Sequence, residues 1–186
     1  MSVKIDDLRL FLPQCGELTP VETLHQNPWF IVRNRGSYFT TEYTWQQVVI
    51  LPVVDNQSIV MVRVKRPVIN DVTLELPAGG AKEDESPLES AARELGEETG
   101  IRISDLERFR KLLPIAGSPN RNPNLIHIFQ IELTKREFCD RIEHDDEIAD
   151  VELFGFSEIK ELLFQGEIYV AVPMAIISKY LIEREQ

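Results

Sequence analysis

Between Ser86 and Gly100 the chain specifies one helix from both ends. Ser86-Pro87-Leu88-Glu89 supplies an N-cap serine, a proline at the first helical position and a glutamate three residues past the cap, the capping-box arrangement. Gly100 stands where a left-handed C-terminal cap belongs. At about 100° per residue, Glu94, Glu97 and Glu98 fall within one arc, while Leu88, Ala91, Ala92 and Leu95 lie roughly opposite. One face is built for a core and the other carries carboxylates. Like charges at these spacings repel by roughly 0.2–0.5 kcal/mol per pair, and two of the three lie in the last turn, where the helix dipole disfavours anions. A hard divalent cation such as Mg2+ reverses that penalty. The plain alternative is an acidic, solvated face in which Arg93 bridges Glu97 at i+4 and Glu89 at i−4.

Charge bears on that choice. Thirty-one acidic residues against twenty basic ones give a formal charge of −11, which argues against nonspecific binding to nucleic acid or anionic membrane. It also repels a phosphate-bearing substrate, so a phosphate chemistry here requires a cation between protein and substrate. A length of 186 residues suits one core plus an appended element. Cys15 and Cys139 are the only cysteines, too few for a disulfide framework; they fit a reducing compartment and are expected to pack. The N-terminal MSVKIDDLRLFLPQCGEL has acids where a secretory signal needs apolar residues, and no run approaches a membrane span, so cytoplasm is the expected location.

Residues 1–45 mix short apolar groups with turn formers and carry Trp29, Tyr38, Tyr43 and Trp45, which predicts a small N-terminal β extension; 46–186 is then the main domain. Gln47 to Val64 holds VVILPVV and IVMVRV around Asp55-Asn56-Gln57-Ser58, the signature of a hairpin. A short strand, VTLEL, runs into Pro77-Ala78-Gly79-Gly80, read as a sharp turn. Further strands are expected over Leu112–Ile115, Asn124–Leu133 and Val151–Phe156, with helices over Ser157–Phe164 and Val172–Glu183. This order predicts an α/β or α+β plan.

From Gly79 the sequence runs GGAKEDESPLESAARELGEETGI: glycine, five residues, Glu85, seven residues, then Arg93-Glu94-Leu95-Gly96-Glu97-Glu98-Thr99-Gly100-Ile101. This resembles, at every defining position, the Nudix box of the Nudix hydrolase superfamily. The resemblance implies a mixed sheet between helices, carrying a loop-helix-loop that holds Mg2+, or Mn2+ in its place. It implies Glu94 and Glu98 as main metal ligands, Glu97 as a supporting one and the Ala78 carbonyl as a further oxygen. Gly79, Glu85 and Arg93 become supports of the box, because a fixed guanidinium can hold two acids in place.

Upstream, IVMVRVKRPVINDVTLELPAGG is similar to the corresponding region of ADP-ribose and nucleotide-sugar pyrophosphatases. That resemblance implies that Arg66 contacts a substrate phosphate and Glu75 a substrate hydroxyl or amino group. Downstream, HDDEIADVELF resembles the acidic loop of the same subgroup, making Glu147 a general base with Asp146 as its nearest competitor, and Glu97 and Glu98 its catalytic companions. Arg121, in AGSPNRNPN, is a candidate extra phosphate contact, and His127 is read as packed on a strand. Where the subgroup often has glutamine-tyrosine-arginine, this chain has Val64-Lys65-Arg66, which leaves the choice of substrate open. The expectation is therefore a Mg2+-dependent hydrolase of a small-molecule nucleoside diphosphate, ADP-ribose first, acting as a homodimer through its N-terminal extension. GDP-sugars, dinucleoside polyphosphates and a non-catalytic nucleotide-sugar sensor are the alternatives.

Overall fold

A computed structural model describes Leu10 and residues 15–185. The expected N-terminal extension therefore lies partly outside the described residues, at 1–9 and 11–14. Its described part forms an antiparallel sheet of β1 (Val21–Gln26), β2 (Phe30–Arg35) and β3 (Tyr38–Tyr43). Inside that sheet the Glu42 carboxylate accepts bonds from Arg35 Nε (2.6 Å) and Thr40 Oγ1 (2.8 Å) and pairs with Arg33, so a buried charge is fully partnered.

Among the described residues the larger sheet has seven strands. β4 (Gln47–Val54) runs parallel to β9 (Ile126–Leu133), and β8 (Phe109–Ile115) extends the sheet antiparallel to β9. On the other side β5 (Ser58–Arg66) connects β4 to β10 (Ile148–Gly155), with β6 (Asp71–Glu75) on β5 and β7 (Ala78–Gly80) on β4. The β4–β5 reversal is made by residues 55–57, with Asp55 and Asn56 both left-handed (φ 48° and 56°) and Gln57 N–H closing onto the Val54 carbonyl (3.0 Å). β4 pairs with β7 at residues 47–49 and with β5 at 53–54. Pro52, which has no N–H to give, stands in the gap between those partners.

The unbroken apolar run of β4 is explained by burial on both faces. Val48, Ile50 and Val54 pack with Ala91 and Leu95 of α1 (Pro87–Thr99). Val49, Leu51 and Val53 pack with Ile159 of α3 (Phe156–Gln165) and Ile176, Ile177 and Leu181 of α4 (Ala171–Arg184). The layers are helix, mixed sheet and helices, as expected.

Three local readings are corrected and one helix is added. Ala78–Gly80 pairs with β4 instead of merely turning, because Gln47 to Val49 offers it a free edge. α3 begins at Phe156, one residue earlier than expected, with Gly155 as its cap and Glu158 accepting the cap N–H. A five-residue helix, α2 (Lys135–Cys139), follows β9 with its own Thr134/Glu137 capping box. Cys15 is buried as expected, but Cys139, at the end of α2, is exposed.

Candidate active site

α1 carries the cap geometry its sequence specifies. Glu89 N–H donates to Ser86 Oγ (3.2 Å), Ser86 N–H donates to the Glu89 carboxylate (2.9 Å), and Gly100 caps the end at φ 73°. Gly100 is required twice over: its φ suits glycine, and a Cβ there would lie 2.0 Å from the carbonyl oxygen of Ile142. That close approach lets Ile142 N–H donate to the Gly100 carbonyl (3.1 Å), while Asp145 N–H donates to the Glu97 carbonyl (2.9 Å). The acidic loop is thereby bound to the end of the carboxylate helix.

Arg93 is the hub of the helix face. Its Nε and Nη2 donate to the two oxygens of Glu85 (2.8 and 2.9 Å), Nη2 also to the Gly80 carbonyl (2.8 Å), and Nη1 to Glu94 (2.8 Å) and Glu97 (2.7 Å). The Arg93 guanidinium, together with the Lys82 N–H and Ser90 hydroxyl, holds Glu85 at a pKa of about 2. The solvated-face alternative put Arg93 between Glu97 and Glu89. Only its Glu97 half forms, because Glu89 closes the capping box.

Burial raises both Glu94 and Glu98, the latter to about 8 even though Glu98 Oε2 accepts from the Ala78 N–H at 2.9 Å; the neighbouring Glu94 charge raises it further. A carboxylate pair held up in this way is short of positive charge. Glu97 is more exposed and pairs with Arg93 and with Lys82 Nζ (3.3 Å). Among the described residues no three Asp, Glu, His or Cys side chains are already gathered tightly enough to hold a metal ion. The donor chemistry nevertheless fits a hard cation, since the acids are oxygen ligands on one arc and the two most enclosed are raised by burial. Arg93 bonds one oxygen each of Glu94 and Glu97.

Facing the helix, Arg66 Nε and Nη2 grip both oxygens of Glu75 (2.7 and 2.9 Å), and Thr73 Oγ1 donates to Glu75 as well (2.6 Å). Glu75 is buried, so in this arrangement it braces Arg66 instead of presenting a free acceptor. The Glu75 bond does most to raise the Arg66 pKa, with the charges of Glu98 and Glu147 adding to it, which places the box, the strand arginine and the acidic loop in one electrostatic neighbourhood. Arg66, Glu75, Asp146 and Glu147 share a groove of about 670 Å³ with Lys65, Pro67, Val68, Ile69 and Val170.

Lys65, to which the sequence reading gave no role, holds the acidic loop from the strand side. Its Nζ donates to the Asp146 carbonyl (2.7 Å) and its N–H to that of Glu147 (3.3 Å). Its departure from the subgroup's usual residue is the signal that could have marked it. Arg121 is not brought to the groove: its Nη1 donates to the Phe39 carbonyl (3.4 Å) and its own carbonyl accepts from Thr41 N–H (2.7 Å), so it ties its loop to β3. His127 is buried, as read from its alternation, and burial pushes it down to about 4, which keeps it neutral at pH 7.

The NUDIX domain family model matches residues 44–172, a span that begins just past β3 and takes in the whole carboxylate helix and the groove. The chain belongs to the NUDIX domain family. Among relatives of this Nudix protein, the methanol dehydrogenase activator of Bacillus methanolicus is 31% identical over 107 residues, covering 57% of this chain and 56% of the relative. ADP-ribose pyrophosphatase of Bacillus subtilis (strain 168) is 30% identical over 124 residues, covering 67% and 65%. Phosphatase NudJ of Escherichia coli (strain K12) is 42% identical over 72 residues, covering 39% and 44%. The chain thus spans between about half and two thirds of the first two relatives' lengths. A crystal structure of an ADP compounds hydrolase shares the fold, with a TM-score of 0.65 at 19% identity over 89% of this chain and 93% of its own.

In the Nudix protein Gly79 is where backbone and carboxylate meet. A Cβ at Gly79 would fall 2.1 Å from Glu94 Oε1. Because Arg93 pins that oxygen, Gly79→Ala is expected to displace the Glu94 carboxylate while leaving the fold in place. Loss of about 10²-fold in turnover, with less than 2 °C change in melting temperature, is the expected result. A crystal structure of the variant with Glu94 unmoved would contradict it.

Proposed function

We propose that this Nudix protein is a hydrolase that uses Mg2+, or Mn2+, to cleave the diphosphate bond of a nucleoside diphosphate joined to a second group, with ADP-ribose giving AMP and ribose 5-phosphate. The observation that carries the reading is the convergence of two burial-raised carboxylates, Glu94 and Glu98, with the braced Arg66 and the loop acid Glu147. The kinship with an ADP-ribose pyrophosphatase supports the choice of substrate.

Glu94, Glu97 and Glu98, with the Ala78 carbonyl, are the groups that would hold the ion. When bound there, it supplies charge neutralisation for the diphosphate and makes water more acidic. Arg66, its plane fixed by Glu75, meets a phosphate oxygen and offsets charge as the transition state develops. Glu147, anchored through Lys65 and the end of α1, accepts the proton of the attacking water. The water oxygen then bonds to phosphorus as the bridging oxygen leaves on the other phosphate.

The test is incubation with Mg2+ and ADP-ribose, GDP-mannose, NADH or diadenosine polyphosphates, with products separated by chromatography. Preferred cleavage of ADP-ribose is expected. No cleavage of any of them overturns the hydrolase in favour of a sensor.

The same reading makes the protein a cytoplasmic homodimer. Trp29 (73% exposed) stands in the turn between β1 and β2, and Leu24, Tyr38 and Phe39 are exposed on the strands of the N-terminal sheet, apolar side chains that contact with a second copy would cover. Light scattering should give twice the chain mass, and Trp29→Ser with Phe39→Ser should shift it toward one chain. A monomeric unsubstituted protein defeats this assignment. Both cysteines are free, and no described helix is long and apolar enough to cross a membrane.

A further inference from the structure

The groove beside Arg66 is lined by two unlike sets of side chains. Arg66, Glu75 and Glu147 are charged; Pro67, Val68, Ile69 and Val170 carry no hydrogen-bonding atom in their side chains. Three of the four apolar residues form a hairpin tip. Arg66 pairs with Asp71 across β5 and β6, and residues 67–70 make the turn, closed by Ile69 N–H to the Arg66 carbonyl and Asn70 N–H to the Pro67 carbonyl (both 3.2 Å). Asn70 takes the left-handed conformation the turn needs (φ 54°).

The two residues between Pro67 and Asn70 are a poor choice for a turn alone. β-Branched residues favour strands, and turn positions normally carry Gly, Asn, Asp or Ser. Val68 is nonetheless fully exposed and Ile69 is 55% exposed, which leaves adjacent apolar side chains in water at the mouth of a charged site. Opposite them, Tyr169 donates its hydroxyl to the Asp71 carboxylate, tying the segment before α4, and with it Val170, to the foot of the hairpin. The lip is therefore held on both sides at a fixed place beside Arg66.

We propose that this lip, Pro67-Val68-Ile69 with Val170, is the subsite for the nucleobase of the substrate, and that it grips the ring by apolar contact without reading its edge. The assignment rests on the nucleotide-hydrolase reading of the groove. A sugar placed there would exchange hydrated hydroxyls for aliphatic walls with no partner, whereas a planar ring loses little polar contact and covers the exposed side chains. With no donor or acceptor in the four lip side chains, adenine and guanine are held alike. The expected ratio of their affinities is within about tenfold, the range that apolar contacts alone supply.

The experiment compares AMP with ribose 5-phosphate, both in Mg2+, binding to the unsubstituted protein and to Val68→Ser/Ile69→Ser by calorimetry. Val68 is fully exposed and Ile69 is 55% exposed in a surface turn, so the substitutions are expected to leave the fold in place, which a melting curve verifies. AMP affinity is expected to fall about tenfold while ribose 5-phosphate affinity stays within twofold. GMP should follow AMP. A variant that binds AMP as the unsubstituted protein does, or that loses ribose 5-phosphate instead, overturns the lip assignment, as does failure of AMP to bind at all. Cleavage of ADP-ribose by the unsubstituted protein is scored separately: AMP binding that depends on the lip, without cleavage, leaves the subsite standing and removes the hydrolase.

Discussion

Glu98→Gln is expected to lower turnover about a thousandfold while raising the stability of the metal-free protein near pH 8. The substitution keeps shape and keeps an oxygen for the Ala78 N–H, so it removes charge and little else. Its two effects have opposite signs for one reason. Burial raises the Glu98 carboxyl from 4.5 to about 8, so between those values the folded chain holds a proton that the unfolded chain has released. Stability from this group is fully present below about pH 4.5, falls as pH rises, and levels off above about 8. The loss is at most about 5 kcal/mol. In EDTA, the melting temperature of the unsubstituted protein should therefore decline from pH 5 to pH 8, and that of the Gln variant should decline less. Mg2+ should flatten the slope, since a cation favours the ionised form of its ligands. Equal slopes in EDTA, or retained turnover in the variant, would remove Glu98 from the metal site.

That the carboxylate helix was legible in advance, and the walls of the groove only partly, has a physical cause. Everything that defines α1 is local: cap serine, N1 proline, glutamate at N3 and terminal glycine act within a few residues of one another. The hairpin of β4 and β5 was equally open to reading, because its turn residues are the ones that tolerate left-handed backbone. The fates of Arg66 and Arg121 depend on register and on which sheet a loop meets. Glu75 braces Arg66 only because β5 and β6 pair with Val62 opposite Glu75, so that a long guanidinium folds back past Thr73. Arg121 sits in a loop whose composition forbids regular structure and says nothing of its destination, and β3 claims it. α2 went unread because five residues are too few to show a helical period, although its capping box was there in Thr134 and Glu137. Lys65 acts on the acidic loop from 81 residues away in sequence; its departure from the subgroup's usual residue could mark the position, but not the loop it reaches.

Arg93→Ala is expected to be the most destabilising single change on the helix face, by about 3–5 kcal/mol, a drop of roughly 10 °C in melting temperature for a chain of this size. The side chain makes five hydrogen bonds to Glu85, Glu94, Glu97 and the Gly80 carbonyl, and its removal leaves Glu85 and Glu94, both largely enclosed, without their cation. Arg93→Lys should recover only part of the loss, because one ammonium cannot span the Glu85 fork and the Glu94–Glu97 pair together. Glu97→Gln, on a side chain that is 37% exposed, should cost under about 1 kcal/mol. The metal sharpens the comparison. Arg93 already bonds Glu94 and Glu97, two of the acids that would hold an ion, so the guanidinium and a bound ion would share those side chains. Mg2+ should therefore raise the melting temperature of Arg93→Ala more than that of the unsubstituted protein, while turnover in the variant stays low because the freed carboxylates no longer share a fixed geometry. A variant that melts within about 2 °C of the unsubstituted protein, or one that gains nothing extra from Mg2+, would mean that Arg93 neither holds the carboxylates nor stands where the ion binds.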